Sequence, residues 1–327
     1  MELTPDFSIS ITGGGSFPKD RVLSIQTTDE AGINSDSCEI ELDDYDDALQ
    51  MPITEAKVAV SLGYKETGLV KIGTYFVREI TLNGARRTIR LRCEAAAKTL
   101  LAQKTKDNGD TLGDIVDESA GEADFEPAVD DELRDEDIGS NLQIAESDMN
   151  LITRLGHKYG AVAKPANEHL IVTKNGGGKT VSGKNLPQKS IDASEVPTYS
   201  CTFKETEGKK GGGRPGGVVA AWWDEAKGEH GLVRSGAEDI EHEIQLREVF
   251  RTKEEATQAV NARQQRKIQS NTTFSFSTAG RPDLFAEGIL IINGFSNKIP
   301  KSWLIKRVEH SLSSSGFETS VECCDKG

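Results

Sequence analysis

The feature that most constrains the fold of this chain is a degenerate internal repeat with one copy near each end. In each copy a β-rich run ends in Gly plus an aromatic residue. A second run has the form aromatic-x-(Val/Ile)-(Arg/Lys)-x-(Ile/Val), and a third run ends in Cys. The three runs lie at 58–64, 75–80 and 91–93 in the first copy and at 289–295, 303–308 and 321–323 in the second. Two similar β units in one chain would let three copies present six similar units around an axis.

The repeat and the regions between its copies predict three domains in the 327 residues. Regularly spaced short strands, bounded by Gly and Asp clusters, make 1–103 a first β-barrel domain. Residues 104–196 are predicted to form a small acidic α/β domain. Residues 197–327 are predicted to form a second β-barrel domain with an inserted helix over 252–269. The predicted fold class is therefore mainly β, with two similar antiparallel β-barrel domains and a small α/β domain between them.

Three helices are predicted from capping signals and from apolar residues at helical spacing. Thr111 is a candidate N-cap with Asp114 in the first turn. A second helix is expected over 146–159, where apolar side chains share one face. Thr252 and Glu255 form a capping-box pattern at the start of the helix inserted in the second barrel.

Charge is strongly uneven along the chain, whose formal net charge is −14. Residues 107–148, the acidic segment, contain sixteen Asp and Glu against a single basic residue, Arg134. Because phosphate affinity comes from Lys and Arg, wrapping of nucleic acid is excluded as a function class. The acidic segment has two interpretations: a solvated face, or a surface that repels polyanions.

Membrane and secretion signals are missing from the sequence pattern. No apolar run approaches the roughly 20 residues needed to span a bilayer, and the first residues lack a basic start and an apolar stretch. The five cysteines form no CxxC pair, which favours reduced structural thiols made in a cytoplasm. The alternative is a vicinal redox pair at Cys323 and Cys324.

Candidate catalytic and ligand-binding patterns are weak, and we predict no catalytic, cofactor-binding or metal-binding residue. Residues 175–180 contain a Gly-rich stretch before Lys179 and Thr180, but the phosphate-loop pattern needs a Gly where Thr173 stands. A β-turn is the better interpretation. The histidines form no metal-ligand spacing and lie at His157, His169, His230, His242 and His310.

The three tryptophans lie in or beside the second β unit. Trp303 falls in the repeat itself, whereas Trp222 and Trp223 are adjacent. Two interpretations remain open for one of the adjacent pair: a core anchor, or an interface anchor, since Trp is enriched at protein–protein hot spots.

One segment resembles a known family. Residues 143–155 read Q-x-x-E-S-D-x-x-L-I-x-R-L, which is similar to a segment of the phage late control D proteins. Further segments match the same family, in the family's order, along most of the chain. They lie at 42–44, 62–64, 111–115, 280–284, 293–295, 303–305, and at 310 and 316–319.

The resemblance implies a baseplate hub of contractile phage tails and R-type pyocins, related to the hub part of type VI secretion spike proteins. In such hubs two similar barrels per protomer form a homotrimeric ring with quasi-sixfold symmetry. One face of the ring meets the sixfold tail tube and the other seats a trimeric spike protein. The chain ends at Gly327 without a spike domain, so we expect a separate spike protein.

We therefore predict a structural adaptor and not an enzyme, located in the baseplate of a virion or tail particle assembled in the host cytoplasm. Its expected partners are the spike, the tail tube, the tape-measure protein and other baseplate proteins. We expect no cofactor, no specific nucleic acid and no membrane insertion. The alternatives are a cell-wall-degrading tail enzyme, a transcriptional regulator, and the hub of a non-contractile phage tail tip.

Overall fold

The computed structural model of the chain describes residues 3–12, 16–31, 35–109, 111–138, 142–174, 188–204, 217–224, 227–235 and 244–326. Strands account for most of the regular structure in these residues, which confirms the predicted mainly-β class.

A first β unit is formed by six strands whose inward side chains alternate with outward polar ones. In the third strand, for example, Cys38, Ile40 and Leu42 are buried and their neighbours are partly exposed, as expected when one face of a sheet covers a core. The strands are β1 (Pro5–Ile11), β2 (Val22–Glu30), β3 (Ser37–Asp43), β4 (Lys57–Tyr64), β5 (Gly68–Asn83) and β6 (Thr88–Glu94).

A middle α/β unit follows the first β unit. Its helices α2 and α4 pack on a three-stranded sheet of order β10-β11-β8, and β7 pairs with β9 beside it. The elements are α1 (Lys98–Leu101), β7 (Gln103–Asp107), α2 (Leu112–Ala123), β8 (Glu126–Val129), α3 (Asp131–Arg134), β9 (Leu142–Ser147), α4 (Asp148–Lys158), β10 (Ala161–Ala166) and β11 (His169–Lys174).

A second β unit contains a smaller helix-backed sheet between its second and third strands. The unit begins with β12 (Lys189–Asp192) and β13 (Thr198–Phe203). The helix-backed sheet consists of β14 (Val218–Asp224), β15 (Glu229–Ser235), β16 (Ile244–Phe250) and α5 (Lys253–Asn271). The second β unit then ends with β17 (Thr272–Ala279), β18 (Ile289–Asn293), β19 (Ser302–Ser313) and β20 (Gly316–Asp325).

The two β units have the same strand order. In the first unit the strands are arranged β1-β4-β5-β6-β3-β2, and in the second β12-β18-β19-β20-β17-β13. Each strand of the first unit therefore has a counterpart at the same chain position and the same sheet position in the second. One difference is that β1 pairs antiparallel with β4, whereas β12 pairs parallel with β18.

The internal repeat corresponds to three adjacent strands of each unit, β4, β5 and β6 in the first and β18, β19 and β20 in the second, and includes a shared β-bulge. Val77 lies opposite Cys93 and Ile305 lies opposite Cys323, and in both pairs of strands the register shifts at the next residue. The bulged residues are Arg78 and Lys306. A bulge at the same position in both copies means that the two units match in backbone geometry as well as in order.

The Gly-aromatic ends of the first runs are not structural counterparts, although they align in sequence. Val58 lies opposite Tyr75, and the residue opposite the matching Trp303 is Leu290, one position later than the sequence repeat implies. Gly63 lies within β4, whereas Gly294 follows β18 with φ of 73°. A left-handed turn of this kind suits glycine, so Gly294 serves a turn, whereas Gly63 is part of a strand.

Each β unit encloses its own core, and one ladder joins them. Ile25, Ile40, Val60, Val77 and Leu91, from five strands of the first unit, share a single buried cluster. A second cluster lies inside the second unit. Strand β2 pairs antiparallel with β19, so that strands from both units run in one continuous sheet.

The predicted helices are present with small changes at their ends. Thr111 and Asp114 form a capping box, and Thr252 caps α5 by accepting a hydrogen bond from the backbone N–H of Glu255. The helix predicted over 146–159 begins two residues later, because the residues before it belong to β9 and Ser147 is the N-cap.

Candidate assembly site

Polar residues of the 143–155 segment form a buried network where β9 meets α4. Gln143 Nε2 donates to the carbonyl of Glu146 at 2.7 Å and to Asp148 Oδ1 at 3.0 Å. The other carboxylate oxygen of Asp148 accepts from Lys104 Nζ, and both Gln143 and Asp148 are fully buried. A buried carboxylate with two donors is satisfied, so this network holds the middle α/β unit together.

The remaining residues of the segment begin, brace and bury α4. The Ser147 hydroxyl accepts from the backbone N–H of Asn150 at 3.3 Å. Arg154 makes a two-point contact with Glu146, at 3.2 and 3.0 Å. Buried Leu151 and the apolar residues beside it pack into the core of the middle unit. Ser147, Arg154 and Glu146 therefore each have a structural partner.

The 280–284 segment ties the two β units together. Tyr64 Oη of the first unit donates to the carbonyl of Gly280 at 3.0 Å. A Cβ at Gly280 would lie 2.0 Å from the ring of Phe317, so a side chain cannot fit there. Arg281 contacts both oxygens of Asp283, at 2.9 and 3.2 Å. Burial raises the pKa of Asp283, but the hydrogen bonds and positive charges of Arg281 and Lys189 together outweigh burial and bring that pKa down to about 2.

A buried ion cluster lies where the middle unit meets both β units. Lys164 Nζ, from β10, lies 2.7 Å from Asp29 Oδ1 and 3.3 Å from Asp36 Oδ1 of the first β unit. Asp29 Oδ2 accepts from the backbone N–H of Ala286 in the second β unit, at 2.8 Å. We call Lys164, Asp29, Asp36 and Glu287 the junction cluster.

The junction cluster carries more negative than positive charge, and the pKa values reflect this. Burial raises the pKa of Asp36 to about 7, and Lys164 only partly opposes that effect. Burial also raises the pKa of Glu287. The pKa of Asp29 is lowered, because contact with Lys164 and a backbone N–H outweighs burial. Burial lowers the pKa of Lys164, but the carboxylates prevail and raise it overall.

His310 lies near the junction cluster and is a buried residue within β19. Its Nδ1 lies 2.9 Å from Thr319 Oγ1. Burial lowers the pKa of His310 to about 4, so the ring is neutral at neutral pH. His310 and the carboxylates line a cavity of about 560 Å³.

Asp36→Asn is expected to reduce the pH dependence of stability between about pH 4 and pH 7. The pKa of Asp36 is about 7 in the fold against an ordinary value of 3.8, so the folded chain retains a proton that the unfolded chain releases. The stability from this proton is complete below pH 3.8 and is lost as the pH rises to about 7. The urea midpoint of the variant, measured across this range, should change less than that of the unmodified protein.

The matched control for Asp36→Asn is Asp46→Asn. The hydrogen bond from Arg21 lowers the pKa of Asp46, so its ionised form contributes stability above the ordinary pKa and loses it on acidification. The control should therefore not flatten the fall in stability between pH 4 and pH 7. Equal curves for Asp36→Asn and the unmodified protein would show that Asp36 ionises normally.

The acidic segment is partly neutralised by cations on neighbouring elements. Lys106 Nζ of β7 lies 3.1 Å from Glu118 and 3.3 Å from Glu122 of α2. Arg134 lies 2.7 Å from Asp117. Many of these carboxylates also face solvent, which fits the interpretation of the segment as a solvated face.

The three tryptophans have different environments. Trp303 is fully buried, and its Nε1 donates to the carbonyl of Pro300 at 2.7 Å. Trp222 packs on the core beneath α5. Trp223 is 41% exposed, and its ring lies edge-on to His230 with 5.0 Å between centroids. Trp223 is therefore the outward member of the adjacent pair.

Several residues considered for chemistry lie on the surface or outside the described residues. The Gly-rich stretch at 175–180 and His242 lie outside them. His169 is exposed and its Nε2 lies 3.0 Å from Glu126. Across the described part of the chain, His, Cys, Asp and Glu side chains form no group of three that could hold a metal ion. None of the described helices is long and apolar enough to cross a membrane.

The sequence patterns described above do not predict the junction cluster. The available signal was Lys164 itself, since it interrupts an apolar strand that reads Ala-Val-Ala-Lys-Pro-Ala. A lysine flanked by buried positions predicts a carboxylate partner, because a charge is rarely buried unpaired.

Comparison with known proteins gives a consistent set of likenesses. The family model described as phage tail baseplate hub (GPD) matches residues 39–316. A probable baseplate hub protein of Escherichia phage P2 is 29% identical over 368 residues, with 98% of this chain and 93% of the relative covered. A tail protein from Neisseria meningitidis MC58 aligns with a TM-score of 0.73 at 10% identity, covering 98% of this chain and 97% of that one. A component of an E. coli type VI secretion system aligns with a TM-score of 0.60 at 14% identity, covering 96% of this chain and 76% of that one.

Proposed function

Because this chain belongs to the phage tail baseplate hub (GPD) family, whose model spans 39–316, we propose that it is the hub of a contractile tail or injection particle. In this proposal three copies form a ring with quasi-sixfold symmetry. One face of the ring contacts the sixfold tail tube, and the other seats a trimeric spike. The proposed function of the chain is assembly, and it requires no catalysis, cofactor or metal.

The single observation that carries the proposal is the duplicated β unit. Both units have the same strand order, and both place a bulge after the residue opposite Cys93 or Cys323. A chain with two equivalent units offers six equivalent surfaces when three copies close around an axis. A heterologous contact that closes into a ring is the arrangement that symmetry allows for this.

The predicted domains 1–103, 104–196 and 197–327 are part of the same proposal. Each β unit then closes into a barrel, and the middle unit and the helix-backed sheet make the second barrel unlike the first. Both features would distinguish the threefold from the sixfold face. The ring assembles in the host cytoplasm and is located in the particle baseplate, where the tape-measure protein and other baseplate proteins are further partners.

The acidic segment is proposed to line the channel of the ring. Its exposed carboxylates would repel passing DNA or an acidic protein. A cryo-EM map of the assembled ring tests this directly, since carboxylates on the outer rim would contradict it.

The hub proposal predicts a defined stoichiometry. We expect co-expression with the spike protein from the same particle to yield a complex holding three copies of this chain, measured by native mass spectrometry. A chain that remains monomeric and does not bind the spike would contradict the proposal. Clearing of purified cell walls by the isolated protein would instead favour the tail-enzyme alternative.

A further inference from the structure

The ladder between the two β units shows how one unit docks on another. The outer edge of β2 pairs with β19 from Arg307 opposite Glu30 to Ser313 opposite Ser24. On the same edge of β19, residues 302–304 pair with β18. One edge of β19 therefore carries two neighbours in succession, its own unit's β18 and then β2 of the other unit.

The counterparts of these two strands have open edges. Strand β13, the counterpart of β2, is the last strand of the sheet and pairs only with β17 among the described residues. Strand β5, the counterpart of β19, pairs with β4 over residues 68–76. Beyond Val77, residues 79–83 pair with β6 on one edge, and the described chain supplies no strand for the other.

We propose that β13 of one copy pairs antiparallel with residues 79–83 of β5 in a second copy, in the register of the β2–β19 ladder. The inference rests on the proposed ring of hub copies and supplies its contact. Each copy has one open edge of each kind, so the contact is heterologous and propagates from copy to copy.

The register follows from Cys93 and Cys323, which occupy equivalent positions in the two β units. Cys93 lies opposite Cys38, and Cys323 lies opposite Phe274. Thr27 lies opposite Cys38, and Cys201 lies opposite Phe274. Cys201 is therefore the counterpart of Thr27.

The same steps identify the facing residue on the other strand. Val77 and Ile305 are counterparts, which makes Leu82 the counterpart of His310. His310 lies opposite Thr27 in the existing ladder. Leu82 of one copy is therefore opposite Cys201 of the next.

Charge and apolar surface both fit this register. It sets Glu79 opposite Lys204, where the existing ladder sets Arg307 opposite Glu30, so opposite charges face each other with the signs exchanged. Ile80 faces Phe203, which is 58% exposed, next to Leu82, which is 61% exposed. Large apolar side chains on an open strand edge favour association, and pairing would cover them.

A disulfide cross-link tests the register. Leu82→Cys would face the native Cys201 of the next copy, and facing residues of antiparallel strands lie roughly 4.5–5.5 Å apart at Cα, within the range a disulfide needs. We expect mild oxidation of the full-length variant to give covalent dimers and trimers on a non-reducing gel, reversed by reductant. The other cysteines are buried.

Two variants control for random collision. Thr81→Cys places a thiol at a likewise exposed position one residue away, facing Thr202, and should not cross-link. Leu82→Cys combined with Cys201→Ser should also remain uncross-linked. Cross-linking at equal rates in these variants would overturn the proposed register.

A charge exchange provides a second readout. Glu79→Lys and Lys204→Glu should each weaken association about five- to tenfold in sedimentation measurements, since each replaces attraction with repulsion. The double variant should recover the affinity. A complex with three copies that neither cross-links through Leu82→Cys nor responds to the exchange would overturn this inference and leave the hub proposal intact, whereas a monomer that ignores the spike would overturn the hub proposal itself.

Discussion

Lys164→Met is expected to lower the free energy of unfolding by about 3–5 kcal/mol, because it leaves buried carboxylates without their cation. Asp29 and Asp36 lie 2.7 and 3.3 Å from Lys164 Nζ, and the Lys164 side chain is only 9% exposed. Methionine keeps most of the stem volume, so lost packing contributes little. Urea unfolding at pH 8, where Asp36 is ionised in the folded chain, measures the effect at its largest.

Lys57→Met is the matched control for Lys164→Met. Lys57, on β4 of the first β unit, also reaches the middle unit, with its Nζ 2.6 Å from Glu168. These side chains are 28% and 43% exposed, so the pair is worth at most about 1 kcal/mol. If the two substitutions lower the free energy of unfolding equally, burial does not determine how much the junction cluster contributes to stability.

The sequence predicts which residues of the two repeat copies correspond wherever side-chain type follows strand geometry. The second and third runs aligned correctly because the aromatic position and the Cys are buried in both units, at Tyr75 and Trp303 and at Cys93 and Cys323. The first runs were misaligned by one residue because Gly63 and Gly294 look alike in sequence. One lies in a strand and the other in a left-handed turn, and a sequence pattern does not distinguish those uses of glycine.

Local sequence patterns do not predict the contacts that join the three units. Lys164 meets carboxylates 135 and 128 residues away in the chain. Strand β2 pairs with β19, near the opposite end of the sequence. Alternation of apolar and polar residues predicts which face of a strand is buried, but it says nothing about which strand lies beside it.

The 143–155 segment, which carried the strongest family resemblance, has a structural explanation. Gln143 and Asp148 form a buried network, Ser147 caps α4, and Arg154 braces Glu146. The segment therefore specifies how the middle unit folds. The proposed ring of three copies is supported instead by the equivalence of the two β units.

Trp303→Ala is expected to destabilise the second β unit by about 3–5 kcal/mol, the usual result of removing a large buried aromatic side chain. Trp303 is fully buried: its ring stacks on Phe274 with 5.3 Å between centroids, and it occupies the position that Tyr75 holds in the first unit. The substitution leaves a cavity and also leaves the carbonyl of Pro300 without its donor. Far-UV circular dichroism in urea measures the loss without depending on tryptophan fluorescence.

Trp223→Ala separates a core anchor from an interface anchor, because Trp223 is 41% exposed whereas Trp303 is buried. Its expected effect on unfolding is within about 0.5 kcal/mol, as for most surface substitutions. If Trp223 anchors a partner, the variant should fold normally yet recover less spike or tube protein in co-purification, since exposed Trp residues are frequent hot spots. A loss of stability as large as that of Trp303→Ala would contradict this and place Trp223 among the residues that hold the helix-backed sheet together.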